Sequence, residues 1–263
     1  MNKHNIRIAI TGAYGRMGSN LIQTIQQYQD ITLTCAIVKK KIVNIFTNEQ
    51  KKILIHTNIE QAIQDFDVLI DFSTPKNTLQ NLHFCYKNKK NIVIGTTGFT
   101  EEEHTIIKKF SKKIGIVLSS NFSIGINLIF QLLKKTARTL NDTYDIEIIE
   151  AHHRNKLDSP SGTALSMGDI IAKTKNWNLK TYATYRKKQI SNIRERKKIG
   201  FSIIRGGDVI GEHKVMFLGP GEKITLSHQA SNRNTFSEGA IQAAIWVTNK
   251  TAGLFNMMNV LNI

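Results

Sequence analysis

The sequence predicts an α/β fold: a Rossmann-like parallel-sheet domain with a second, α+β domain built on a mixed sheet. Three observations carry this prediction. Short apolar runs alternate with amphipathic stretches through the first half of the chain. A glycine-rich turn directly follows the first apolar run. Beyond about residue 125 the pattern changes to longer alternating segments divided by turn residues.

IRIAIT, residues 6–11, reads as a short buried strand, and GAYGRMGSNLIQTIQQY follows it with Met17, Leu21, Ile22 and Ile25 at helical spacing. A second strand runs near 31–38 (ITLTCAIV), whereas 39–52 is basic and weakly patterned and reads as a loop. DVLIDF, Asp67 to Phe72, is another strand; Ser73-Thr74-Pro75 then supplies a cap and a favourable first-turn proline for a helix. NIVIGTTG repeats the strand-then-turn plan, EEEHTIIKKF suits a helix with acids in its first turn, and GIVLSSNF is one more strand and turn. Alternation of this kind implies a parallel sheet covered on both faces, with ligands outside the strands' C-terminal ends. Three such ends, GAYGRMG, GTTGF and SSNF, carry glycine or small polar residues.

The second domain begins with INLIFQLLKKTARTL, a helix, and TYDIEIIEAHH, a half-buried strand. SPSGTALSMGDIIAKT is a loop leading into a helix. IGFSIIRGG, VIGEHKVMFLG and EKITLSHQA read as antiparallel strands, with GPGE a turn between the last two. TFSEGAIQAAIWVTNK closes the chain's pattern as a helix, with Thr235 and Glu238 spaced as a capping box. The expected boundaries are 1–123, completed by 232–263, for the first domain and 124–231 for the second.

Composition narrows the function classes. The chain has 263 residues, 41% hydrophobic and 21% charged, which is a globular and not a disordered composition. No apolar run approaches the roughly 18 residues of a membrane helix, and the N-terminus lacks the apolar core of a signal peptide. A reducing, cytoplasmic setting is the default, because Cys35 and Cys85 make neither a disulfide framework nor a zinc site. Lysine and arginine number 36 against 20 acids, a net charge of +16, but the lysines are scattered from Lys39-Lys40-Lys41 to Lys187-Lys188 and Lys197-Lys198. Without a localised patch or motif this reads as a lysine-coated surface with no nucleic-acid partner.

Two segments carry the chemistry. Gly12-x-x-Gly15-x-x-Gly18 lies between the first strand and helix, where glycine permits a tight turn and helix amides can hold a pyrophosphate. This points to a dinucleotide. The acid that usually binds the ribose at the end of the second strand is absent; Ile37-Val38-Lys39 stands there. Lys39 either neutralises a 2′-phosphate, favouring NADPH, or is solvated loop charge. The second segment is EAHHRNKLDSPSGTA, residues 150–164, which places two histidines, Arg154 and Lys156 after a strand and Ser161-Gly162-Thr163 at a helix start. Such a helix start binds carboxylate or phosphate. Lys156 supplies a proton or neutralises an anion, and a histidine exchanges protons or steadies charge. Adjacent strand residues face opposite ways, so His152 and His153 have different roles and meet one ligand only where the strand breaks. No third or fourth metal ligand has recognisable spacing, so no metal is expected, and no G-x-S-x-G elbow is present.

With GAYGRMG, DVLIDFSTP, VIGTTGF, NFSIGIN, EIIEAHHRNKLDSPSGTA, RGGDVIGEH and GLFNMMNVL in order along nearly the whole chain, the sequence resembles the 4-hydroxy-tetrahydrodipicolinate reductase (dihydrodipicolinate reductase) family of bacterial lysine and diaminopimelate synthesis. EAHHRNKLDSPSGTA is the specific part; the glycine fingerprint alone is not. The resemblance implies a Rossmann-like cofactor domain, a substrate domain and a homotetramer. It implies NADPH or NADH, contacted at Gly12, Ala13, Tyr14, Gly15, Arg16 and Met17, at Gly95, Thr96 and Thr97, and at Ser119, Ser120, Asn121 and Phe122. It implies that His152 is a proton donor or acceptor, Lys156 a proton donor and His153 a substrate-binding residue, with Gly162 and Thr163 holding a substrate carboxylate. The family reduces (2S,4S)-4-hydroxy-2,3,4,5-tetrahydrodipicolinate, a small dicarboxylate, to tetrahydrodipicolinate with loss of water. Two departures stand out: Val38-Lys39 replaces the common Glu-Arg, and the 39–52 loop is shortened. The rival readings are an NAD(P)H-dependent reductase of another small carboxylate and a dinucleotide-binding regulator. The proton donors clustered after Glu150 argue against the regulator, which needs none.

Overall fold

The structure, a computed structural model, describes residues 5–39, 47–48, 51–185 and 193–263. Lys40, Lys41, Lys187 and Lys188 of the basic runs lie outside the described residues. The chain divides into two compact units, Met1–Ile124 with Arg233–Ile263, and Gly125–Asn232.

The first unit runs β1 (Ile6–Thr11), α1 (Arg16–Ile25), β2 (Ile31–Ile37), β3 (Thr47–Asn48), β4 (Lys51–Lys52), β5 (Leu54–His56), α2 (Ile59–Ala62), β6 (Val68–Asp71), α3 (Pro75–Lys87), β7 (Asn91–Ile94), α4 (Glu101–Phe110) and β8 (Gly115–Leu118). In the second, α5 (Ile124–Thr139), β9 (Asp145–His152), α6 (Gly162–Thr174), α7 (Leu179–Tyr182) and β10 (Ala183–Tyr185) precede β11 (Ile199–Arg205), β12 (Gly211–Gly219) and β13 (Glu222–Ala230). The chain then returns to the first unit as α8 (Asn234–Thr248), β14 (Gly253–Phe255) and α9 (Met257–Leu261).

Seven strands of the first unit form a parallel sheet in the order β14-β8-β7-β6-β1-β2-β5. Successive strand residues point to opposite faces, and both faces are apolar. Ile8, Ile10, Ile70, Val93 and Val117 join Leu21 and Ile25 of α1 and Ala240, Ala244 and Val247 of α8 in one core. Ala9, Leu69, Ile92, Ile94 and Ile116 join Leu82 and Cys85 of α3 and Ile107 of α4 in the other. Burial pushes the thiol of Cys35 up to about 12 and that of Cys85 up as well, which keeps both protonated. Strands added on either side of β1 continue in opposite directions, so the topological switch falls between β1 and β6.

The second unit carries a five-stranded mixed sheet in the order β10-β11-β9-β12-β13. Here the expectation of three antiparallel strands is corrected: β12 runs antiparallel to β9 and β13, but β11 is parallel to β9. The chain between β9 and β11 crosses over through α6 and α7, and a crossover returns a strand parallel. Two further expectations change. Within the 39–52 stretch read as a loop, β3 pairs with β4, a pair too short to show alternation. At α8 the Thr235–Glu238 capping box is not formed; the helix starts two residues earlier than that box requires, with Arg233 at the cap position and no side-chain cap bond, so Thr235 falls inside the first turn. The box expected from sequence pattern at one helix is found at another, α4, where Thr100 and Glu103 cap reciprocally. Pro75 opens α3 as expected, but Thr74 makes no side-chain cap bond and the Ser73 hydroxyl donates instead to Asp71, at 2.6 Å.

The return of α8 onto the first unit leaves no room at one position: a Cβ on Gly239 would lie 1.8 Å from the carbonyl oxygen of Phe122. Gly239→Ala is expected to destabilise the protein by about 1–3 kcal/mol in denaturant titrations. Gly206→Ala, where a Cβ meets no heavy atom within 4 Å, is the matched control expected to stay within about 0.5 kcal/mol of the parent.

Candidate active site

The glycine turn sits at the switch point. Gly12 ends β1 with φ +70°, and a Cβ there would lie 2.9 Å from the Phe72 carbonyl oxygen beyond β6. The Gly15 amide donates to the Gly12 carbonyl at 2.8 Å, closing the turn. A Cβ on Gly18 would lie 2.3 Å from the Gly12 oxygen, so α1 rests directly on the turn. Gly15 caps α1 without a side chain, which leaves the helix's first amides turned to whatever ligand the turn accepts. A cavity of about 1160 Å³ opens beside it, walled by Gly12, Ala13, Tyr14, Gly15, Val38 and Lys39, with Ser73 and Thr74 across the switch.

The structure thus brings Gly12 to Gly15 and Lys39 to one cavity. Arg16 and Met17 begin α1 beside it. Gly95, Thr96 and Thr97, and Ser119 to Phe122, follow β7 and β8 on the same C-terminal edge of the sheet, outside that cavity's wall. Gly95 is pressed against the Phe72 ring, where a Cβ would lie 2.1 Å away. The Thr96 hydroxyl is buried and accepts from Thr78 Oγ1 at 2.8 Å and the Ser73 amide at 3.2 Å. Ser119 Oγ donates to the Asn121 carbonyl at 2.8 Å, while Thr97 and Ser120 are exposed. The Phe122 ring is core, 5.4 Å from that of Phe72, so what it presents to a ligand is main chain.

In the second unit the buried face of β9 reads Ile146, Ile148, Glu150, His152. The last two core positions of the strand are therefore an acid and an imidazole. Strand register supplies their neighbours: Glu150 is opposite His213 of β12, His213 is opposite His228 of β13, and His152 is opposite Arg205 of β11. Arg205 grips the Glu150 carboxylate with two parallel bonds, Nη1 to Oε2 at 2.9 Å and Nη2 to Oε1 at 2.8 Å. The Ser161 amide donates to Oε1 at 3.1 Å, and His152 Nδ1 is hydrogen-bonded to Oε2. Ser161 Oγ caps α6 by accepting from the Ala164 amide and also meets His213 Nε2 at 3.1 Å. The His152 and His213 rings stand edge to face, 5.0 Å apart.

Burial alone would raise the Glu150 carboxyl, but Arg205, His152 and the Ser161 amide together hold it below the usual carboxylate range. Burial lowers His152, against the opposing pull of Glu150. Burial, helped by the neighbouring His152, pushes His213 down to about 4; its Nδ1 has no acceptor for the proton it would gain. One atom each of Glu150, His152 and His213 lie within 4.8 Å of one another, a grouping that sequence spacing does not display, although both carboxylate oxygens are engaged by Arg205.

After β9 the chain turns, with the Lys156 amide donating to the His153 carbonyl at 3.1 Å and Arg205 Nη2 holding the Asp158 carbonyl at 2.7 Å. Lys156 Nζ lies 2.9 Å from Asp158 Oδ1. Burial would raise the Asp158 carboxyl, but Lys156 and the loop amides keep it below its ordinary value. Gly162 is exposed, with no atom within 4 Å of where its Cβ would stand, and Thr163 is half-exposed beside it. Sequence reasoning overlooked Arg205 and His213. Both lie in the RGGDVIGEH stretch, but their pairing with Glu150 and His152 is a matter of strand register.

The chain matches two family profiles: dihydrodipicolinate reductase, N-terminus, over residues 6–122, and dihydrodipicolinate reductase, C-terminus, over residues 125–261. It is 52% identical over 270 residues to the 4-hydroxy-tetrahydrodipicolinate reductase of Buchnera aphidicola subsp. Acyrthosiphon pisum (strain Tuc7), covering all of both chains. It is 50% identical over 272 residues to that of Buchnera aphidicola subsp. Baizongia pistaciae (strain Bp), again over both chains entirely. Among solved structures it is similar to dipicolinate-bound dihydrodipicolinate reductase from Paenisporosarcina sp. TG-14, with 26% identity, a TM-score of 0.79, and 97% and 98% of the two chains covered. A probable dehydrogenase from Thermotoga maritima shares the fold at 11% identity and a TM-score of 0.64, covering 97% of this chain and 92% of that one.

His213 makes stability depend on pH. Between its ordinary value of 6.5 and its folded value of about 4, the unfolded chain binds a proton that the folded chain does not. Stability therefore falls as pH drops through that window, by about 2 kcal/mol between pH 7 and pH 5. Urea titrations at the two pH values are expected to show a loss at pH 5 that is smaller in His213→Gln than in the parent, the remainder coming from His152 and His228, which burial also lowers.

Proposed function

The chain belongs to the dihydrodipicolinate reductase family, and on that premise we propose which of its residues carry the reaction. The activity is that of a 4-hydroxy-tetrahydrodipicolinate reductase, an oxidoreductase of lysine biosynthesis. The observation that supports the residue roles is the continuity of one strand–loop–helix segment. It carries His152, His153 and Lys156 into the open start of α6 at Gly162 and Thr163.

A nicotinamide cofactor fits the first unit, because the turn from Gly12 to Gly18 is a bare backbone cradle that a Cβ would fill. When bound, the reduced nicotinamide supplies a hydride to C4 of the substrate ring. Gly12, Ala13, Tyr14, Gly15, Arg16 and Met17 hold the pyrophosphate. Gly95, Thr96 and Thr97, with Ser119, Ser120, Asn121 and Phe122, complete the contacts from the neighbouring strand ends. At the end of β2, Val38 is buried and Lys39 exposed, and neither offers a carboxylate to a ribose diol. That arrangement supports NADPH through a charge-assisted bond from Lys39 to a 2′-phosphate.

The substrate is a dicarboxylate. Gly162 and Thr163 hold one carboxylate at the start of α6, where amides and a hydroxyl converge. His153, half-exposed at the strand's end, donates to the ring or its second carboxylate. Lys156 neutralises the dianion and, as an ammonium, delivers the proton the ring takes up as it accepts electron density. That stabilisation grows in the transition state and so lowers the barrier. The C4 hydroxyl first leaves with one neighbouring ring proton as water, giving a C=C conjugated to the ring imine; the hydride at C4 and one proton then add across that unsaturation, so the balance is one hydride and one proton added and one water lost. His152 presents its second nitrogen toward the same reaction, as proton acceptor or donor.

The homotetramer implied by the resemblance is part of this proposal. One face of the second sheet, carrying Ile149, Met216 and Leu218 with the exposed Ile204, is left half-covered in a single copy, which supports association there. Among the described residues no helix is long and apolar enough to cross a membrane.

The direct test supplies freshly made 4-hydroxy-tetrahydrodipicolinate and follows loss of reduced-nicotinamide absorbance with each cofactor. Lys156→Ala is expected to lower kcat by roughly 10²-fold with the fold retained; near-normal turnover would reject its role. Lys39→Ala is expected to raise KM for NADPH about tenfold and leave KM for NADH unchanged. Equal effects on the two cofactors would remove the 2′-phosphate contact.

A further inference from the structure

We propose that Glu150, clamped by Arg205, is a positioning residue: it fixes the tautomer and orientation of His152 and, through the Ser161 amide, ties that imidazole to the start of α6. The proposal rests on the reading of His152 and of Gly162–Thr163 as substrate-facing groups.

An ionised carboxylate accepts only, at about four lone-pair sites. Here four donors occupy them: Arg205 Nη2 and the Ser161 amide at Oε1, and Arg205 Nη1 and His152 Nδ1 at Oε2. The bidentate guanidinium keeps the carboxylate charged, so the imidazole nitrogen facing it carries a hydrogen. The proton is thereby assigned to Nδ1 of the neutral ring, and Nε2 is left with a lone pair. Gly211 is what stands on the Nε2 side: a Cβ there would lie 3.1 Å from that nitrogen. The absent side chain leaves Nε2 its approach.

The same carboxylate sets the geometry of the carboxylate cradle. Oε1 holds the Ser161 amide, Ser161 caps α6, and Gly162 and Thr163 are the next two residues. The reacting imidazole and the helix start are therefore referred to a single buried group as well as to the loop between them. Stability does not explain the arrangement, because a buried ion pair is often matched or exceeded by apolar residues of the same volume. Control of a histidine's tautomer does explain it, since an apolar pair would give Nδ1 no acceptor to hold its hydrogen.

Glu150→Gln tests the proposal with nearly unchanged shape. With its oxygen retained by Ser161 and Arg205, the amide –NH2 donates to His152 Nδ1 and drives the proton to Nε2. The expected result is a kcat lower by roughly 10²-fold, with KM and dipicolinate affinity within about threefold. Glu150→Asp, which restores the charge, is expected to recover part of kcat. Nitrogen-15 spectra of histidine-labelled protein provide the readout that a merely structural role would not move. The parent's His152 ring, assigned by its loss in His152→Gln, is expected to be protonated at Nδ1 near pH 7.5, and that of Glu150→Gln at Nε2. A folded Glu150→Gln with kcat within threefold of the parent overturns the proposal. So does a parent spectrum with the proton on Nε2, which does not depend on Glu150→Gln folding. If His152→Gln itself keeps full turnover, the underlying reading of His152 falls and this proposal with it. An inactive His152→Gln beside an unimpaired Glu150→Gln rejects the positioning role alone.

Discussion

A carboxylate at the 1% exposed Glu150 position, on the inner face of a central strand, has to be neutralised where it stands. Arg205 does this from the adjacent parallel strand, and the requirement propagates outward. The guanidinium can reach only if β11 lies beside β9 in the observed register, which the crossover through α6 and α7 makes parallel. Arg205 also holds the Asp158 carbonyl, so the loop carrying Lys156 is tethered to the same ion pair. The acid that looks misplaced in a core is the point from which the second unit's polar segment is laid out. Its removal from one side would leave the other charge buried and unpaired, the costly case for such pairs.

The first unit meets a different constraint with different means. Its site is made of backbone, and what counts is the absence of side chains. Gly12 must take a positive φ and pass the Phe72 carbonyl, and Gly18 must let α1 sit on the turn. Around this bare turn the lips of the cavity are held by buried hydroxyls: Asp71 accepts from the Ser73 amide, the Ser73 hydroxyl and Asn81, while Thr96 accepts from Thr78 and Ser73. The turn is closed by its own Gly15–Gly12 bond and lies beside strand ends that are tied to one another.

Much of this was legible in the sequence because local signals suffice for it. IRIAIT followed by GAYGRMG shows both the buried strand and the turn, and the strands of the parallel sheet are short apolar runs bounded by turn residues. The segment after Glu150 is dense enough in polar groups to stand out unaided. What escaped was relational. β11 as a parallel neighbour of β9, and Arg205 and His213 as partners of Glu150, follow from register between strands about 50 to 60 residues apart, which no window along the chain displays. The three- and four-residue elements β5, α2, α7, β10 and β14 are too brief for periodicity to declare them. The capping box at α8 failed for the opposite reason. Its residue spacing was present, but the helix began two residues early, and cap chemistry depends on backbone conformation at a single position.

The order in which the chain visits its two units has a consequence for synthesis on the ribosome. The first sheet lacks its edge strand β14, and one of its two cores lacks α8, until the last 31 residues have been made. The 108-residue insertion between them holds its own sheet and helices and needs nothing from the terminus to close. A nascent chain therefore completes the later-starting unit first, and the N-terminal strands wait, with the α8-facing side of their sheet unshielded, until the C-terminus emerges. Such a molecule is most exposed to aggregation and to chaperone capture in that interval, and early termination of translation penalises the first unit while sparing the unit that follows it.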